Sequence, residues 1–126
     1  MSQAAALPRQ DDIQRYETVS RLSRIVVHNG IAYISGTLAD DPSGSVEEQT
    51  QNILSKIDGW LESVGSHKTR ILTATVWLKD VEDAPRMNSV WEMWMPEGYA
   101  SSRSCVQSTP GRAAFSVEIA CQAAVA

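Results

Sequence analysis

The chain has 126 residues, one domain's worth and enough for a real core, with a net charge of -4, a pI near 5.1 and acidic and basic residues interleaved rather than blocked. That pattern offers no stripe for tracking phosphates, which argues against sequence-independent nucleic-acid binding. No apolar run approaches the ~18 residues needed to cross a bilayer, and MSQAAALPRQDD lacks a charged segment followed by an apolar one, so a cytoplasmic protein without membrane contact is expected.

Residues 1–15 are expected to form a flexible N-terminal arm and residues 16–126 a single domain. Tyr16 to Ser23 carries no clear signal. Arg24-Ile25-Val26-Val27-His28 and Ile31-Ala32-Tyr33-Ile34-Ser35 flank Asn29-Gly30, and two β-branched runs about such a dipeptide predict a β-hairpin. Gly36 ends its second strand, and Asp40-Asp41-Pro42-Ser43-Gly44 reads as a loop. Ser45 with Glu48 three residues later matches a capping box. The stripe Val46, Ile53, Ile57, Trp60, Leu61 and Val64 then predicts an amphipathic helix capped by Gly65.

Ile71 to Leu78 is apolar on both faces, with Thr73, Thr75 and Trp77 on one and Leu72, Ala74, Val76 and Leu78 on the other, as in a central strand or one that meets another subunit. A second helix starts near Asp83, tolerates Pro85 in its first turn and carries Met87, Val90, Trp91 and Trp94 on one stripe. Arg103 to Gln107 and Ser116 to Cys121 read as the strands of a last hairpin, reversed at Pro110-Gly111. Such a hairpin would set Arg103, Cys105 and Gln107 on one face, and Glu118 opposite Val117, Ile119 and Cys121. A guanidinium and a carboxylate on neighbouring strands ordinarily make a solvated ion pair worth under ~1 kcal/mol. The same pair could grip a carboxylate and deprotonate a water.

The cysteines, Cys105 and Cys121, are too few for a disulfide framework, and His28 and His67 stand at no metal spacing from them, so neither metal nor cofactor is expected. Both histidines lie beside turn formers and read as surface residues, and no sequence neighbour of Cys105 would activate it as a nucleophile. The elements make an α+β fold, a mixed β-sheet with two helices on one face. Its bare face points to a closed homo-oligomer, dimer or trimer.

Several stretches, in order, resemble the RidA/YjgF family of enamine and imine deaminases: Ile34-Ser35-Gly36, Glu48-Gln49-Thr50, Thr73 to Asp80, Met87-Asn88, Arg103-Ser104-Cys105-Val106 and Val117-Glu118-Ile119. The similarity runs from about Ile25 to Ala123. It implies a chorismate-mutase-like homotrimer with clefts between subunits. There Arg103 would bind a substrate carboxylate, Glu118 would hold the attacking water, and Gly36, Asn88 and Cys105 would line the pocket. The implied reaction is cofactor-free hydrolysis of 2-iminobutanoate- or 2-iminopropanoate-type imino acids to keto acids and ammonia. The chain departs from the family where a Gly-Pro-Tyr-Ser motif would stand and reads Glu17 to Ser23 instead, which suggests a divergent subgroup. Two other readings are a module that binds small keto acids without turnover and a specialised deaminase or hydrolase. Endoribonuclease activity, also attached to relatives, fits an acidic chain poorly.

Overall fold

The computed structural model describes residues 12–125, so most of the expected arm lies outside the described residues. The first strand, β1 (Gln14–Thr18), begins two residues before the expected domain start and pairs antiparallel with β2 (Ser23–His28). Every residue of β1 is exposed, so no apolar alternation betrays it in the sequence. The hairpin between β2 and β3 (Ile31–Thr37) forms as expected. His28 stands opposite Ile31, with Asn29 and Gly30 at φ 51° and 76°, the left-handed pair that a two-residue turn requires.

Helix α1 (Val46–Ser63) starts on the full capping box: the Glu48 N–H donates to Ser45 Oγ at 3.1 Å and the Ser45 N–H to Glu48 Oε1 at 2.9 Å. It ends at Val64, followed by Gly65 at φ 79°. Strand β4 (Ile71–Leu78) follows, then a single 3-10 turn and α2 (Ala84–Trp94), which carries Pro85 in its first turn. Strands β5 (Ser102–Gln107) and β6 (Val117–Ala124) complete the described chain. None of its helices is long and apolar enough to cross a membrane.

The six strands form one mixed sheet in the order β1-β2-β3-β6-β4-β5. This corrects the expected last hairpin, because β5 and β6 are not neighbours. β5 pairs parallel with β4 on one side, Arg103 opposite Ala74, while β6 pairs antiparallel with β4 on the other, Glu118 opposite Trp77. Pro110-Gly111 does lie between strands of opposite direction, but the connection from Ser108 to Ser116 straddles the end of β4. The Ser108 N–H donates to the Leu78 carbonyl and the Lys79 N–H to the Ser116 carbonyl. A two-residue turn would force adjacency; a loop of this length does not.

One sheet face supplies Ile25, Ala32, Ile34, Ala74, Val76, Val117 and Ile119 to the core, where Ile53, Ile57 and Leu61 of α1 and Met87 and Trp91 of α2 cover them. Burying these residues at about 25 cal/mol per Å² is the main term holding helices to sheet. Leu72 departs from its expected place on this face. A register shift between Ile71 and Thr73 turns it out, 48% exposed. A second shift, between Ile34 and Thr37, bulges β3 at Ser35-Gly36. The opposite sheet face carries Tyr33, Thr73, Thr75, Trp77, Glu118, Ala120 and Gln122, partly or wholly exposed.

Candidate functional site

The fold sorts the five expected site residues into two groups on opposite sheet faces. Arg103, on the edge strand β5, shares the helix-covered face with Ala74 and so points beneath α2. Three side chains from successive turns of α2 hold it. Its Nη2 donates to Asn88 Oδ1 at 2.7 Å, its Nη1 to Met87 Sδ at 3.7 Å, and its Cζ lies 5.0 Å from the centroid of the Trp91 ring. The group is half-buried. No carboxylate among the described residues approaches it within ion-pair distance. Cys105, two residues on and on the same face, is a half-buried free thiol.

Glu118 projects from the other face. Its Oε1 accepts the Gly111 N–H at 2.7 Å, and its Oε2 lies so close to the Gly36 Cα that a Cβ there would collide with it. The β3 bulge is what brings Gly36 to this point. The bland alternative for the two residues, a cross-strand ion pair between Arg103 and Glu118, is excluded within one protomer, since β4 lies between their strands and they leave opposite faces.

Two residues that sequence reasoning did not single out for the site contribute to the Glu118 side. Gln49, fully buried, donates from Nε2 to the Pro42 and Gly44 carbonyls at 3.2 and 2.9 Å, and its Oε1 accepts the Ser116 N–H at 3.0 Å. It ties the loop before α1 to the start of β6. Arg24 lines a cavity of about 380 Å3 beside Gly36, with Lys56, Arg112 and Phe115 also in its wall. Gln49 stood within the motif Glu48-Gln49-Thr50, but its role depends on a loop it meets only in the fold. Arg24 gave no signal beyond a charge at the head of an apolar strand.

The remaining candidates are chemically quiet. Burial pushes the Cys121 thiol up to about 12, so it stays protonated at neutral pH and is no nucleophile. His28 stands 3.5 Å from Asp12, and His67 caps the short turn at Lys68–Arg70, where its Nδ1 accepts the Thr69 N–H at 3.3 Å. Both are structural partners near the surface, as the turn formers beside them suggested.

The family model described as Endoribonuclease L-PSP matches residues 12–125. A RutC family protein of Haemophilus ducreyi is 35% identical over 113 residues, covering 90% of this chain and 97% of its own. The RutC family protein YoaB of Escherichia coli K12 is 38% identical over 113 residues, covering 90% and 98%. Among solved structures, NMB1025 of Neisseria meningitidis, a member of the YjgF protein family, matches with a TM-score of 0.88 at 35% identity over 91% of this chain and 96% of its own. Since the fold, the sequence and the motif positions agree over nearly the whole described chain, the chain belongs to the RidA/YjgF family.

Proposed function

We propose that this protein hydrolyses the C=N bond of α-imino acids without a cofactor, releasing an α-keto acid and ammonia from a groove shared by two protomers. The observation that carries the reading is the state of Arg103: half-buried, fixed by Asn88 and Trp91, and without a carboxylate partner among the described residues. A guanidinium held this way has already met the ordering cost of binding and is complementary to a small carboxylate.

The groove needs two copies. Arg103 and Glu118 leave opposite faces of one sheet, so the site closes when the Glu118 face of one protomer meets the β5 edge of the next. A contact between two different patches is heterologous, and heterologous contacts close into rings, of which a trimer is the smallest. In that groove Arg103 holds the substrate carboxylate. Glu118 takes a proton from water while the water oxygen bonds to the protonated imine carbon. The proton passes to nitrogen, the C–N bond breaks as the hydroxyl loses its proton and C=O forms, and ammonia leaves with one water consumed. Cys105 and Gly36 form walls of the groove.

The test uses 2-iminopropanoate generated in place by an amino-acid oxidase, with keto-acid release followed against a no-protein control. Wild type should accelerate release, and Arg103→Ala should lower kcat/KM by about tenfold to a hundredfold, the worth of one charge-assisted hydrogen bond. A wild-type rate equal to the control, with keto acids still raising the melting temperature, would replace the deaminase with a binding module.

A further inference from the structure

The cavity beside Gly36 has a charge imbalance that the proposed reaction does not use. Three cations line it, Arg24, Lys56 and Arg112, against one carboxylate, Asp40. Lys56 is committed to that carboxylate: its Nζ lies 2.9 Å from Asp40 Oδ1, and this hydrogen bond and charge hold the Asp40 carboxyl below its usual range. The guanidinium of Arg112, exposed, lies 5.6 Å from the Phe115 ring centroid.

Arg24 is the more constrained of the two remaining charges. It is half-buried and stacked at 4.9 Å on the Trp60 ring. Its Nη1 donates to Ser35 Oγ at 3.4 Å and to the Gly36 carbonyl at 3.3 Å. Both hydrogen bonds use one nitrogen. The Nε–Nη2 edge, whose parallel N–H groups match a carboxylate, has no partner among the described residues. An aromatic stack plus two bonds from a single nitrogen fixes the plane of the group while leaving its recognition edge open. Gly36 joins this place to the reaction, since its carbonyl anchors Arg24 and its Cα abuts Glu118 Oε2.

We infer that Arg24, assisted by Arg112, binds a second carboxylate on the substrate, so that the preferred substrates are imines of acidic amino acids rather than of alanine-like ones. The inference rests on the deaminase reading for the word substrate and on the cavity alone for the binding of a diacid. Arg103 takes the α-carboxylate in the groove and the Arg24 cavity receives the side-chain carboxylate, with Glu118 between them. Two fixed cations on either side of one general base discriminate by charge and by length.

The experiment compares 2-iminoglutarate with 2-iminopropanoate, each generated by its oxidase, for wild type and Arg24→Gln, with circular dichroism to establish that the variant is folded. Wild type should favour the diacid in kcat/KM, and in Arg24→Gln the ratio of the two values should fall by about tenfold or more. A ratio near one in wild type, or one unmoved by the substitution, would overturn the inference while leaving the deaminase in place. Calorimetry with 2-oxoglutarate and 2-oxobutanoate separates the remaining case. If neither imine is turned over but 2-oxoglutarate binds more tightly and loses that advantage in Arg24→Gln, the second carboxylate site stands and the deaminase falls. If neither imine is turned over and 2-oxoglutarate shows no Arg24-dependent advantage, both fall.

Discussion

Gly36 is the residue on which the Glu118 half of the site turns. The φ at this position lies outside the left-handed region, so alanine is sterically acceptable to the backbone, and only the side chain of Glu118 objects. That clash is with the tip of a flexible side chain. Gly36→Ala should therefore stay within about 1 kcal/mol of wild-type stability by chemical denaturation, while imine hydrolysis falls about as far as in Glu118→Ala. A folded Gly36→Ala enzyme at the wild-type rate would mean that the position of this carboxylate does not matter to the chemistry. Trp91 illustrates the converse, a residue with two tasks. Its place on the apolar stripe of α2 reads as core, and it is core at 6% exposure, yet its ring also supports the Arg103 guanidinium.

Between elements, Gln49 is the fastening that sets where β6 begins, two residues before Glu118. Gln49→Leu keeps much of the volume and the helix propensity but leaves the Ser116 N–H and the Gly44 carbonyl unpaired, one of them against the core. Loss of those partners should lower the unfolding free energy by about 1–3 kcal/mol, measured in urea, with an unchanged slope. An unchanged midpoint would mean that neither group needed the bond. The elements legible in the sequence are those specified locally: the Asn29-Gly30 hairpin, the Ser45 and Glu48 capping box of α1, the apolar β4 and the Pro85 start of α2. β1 was not legible because all five of its residues face water. Nor was the neighbour of β6, since Pro110 and Gly111 report that the chain reverses and say nothing of the strand that ends up between. The site inherits that limit. Arg103, Asn88 and Cys105 fall together, as do Gly36 and Glu118, but their division between two faces follows from strand order, and Arg24 reaches Gly36 only because β3 bulges there.

At the scale of the whole molecule, the division of the site makes a prediction that a self-contained protomer cannot satisfy. If each groove takes Arg103 from one protomer and Glu118 from the next, then Arg103→Ala and Glu118→Ala proteins, inactive alone, should complement each other when co-expressed. In a ring assembled at random from equal amounts, a groove is intact when its first contributor retains Arg103 and its second retains Glu118. Each condition holds for half of the protomers, so about a quarter of the grooves should be active, and the mixture should recover about a quarter of the wild-type rate. A site contained in one protomer would recover nothing, because every protomer in the mixture lacks one of the two groups. Separately purified variants mixed under conditions that prevent subunit exchange supply the control, which should remain at background. Activity above background in that control would place both groups outside the reaction, and silence in the co-expressed mixture, with mixed rings verified by mass, would return Arg103 and Glu118 to a single chain.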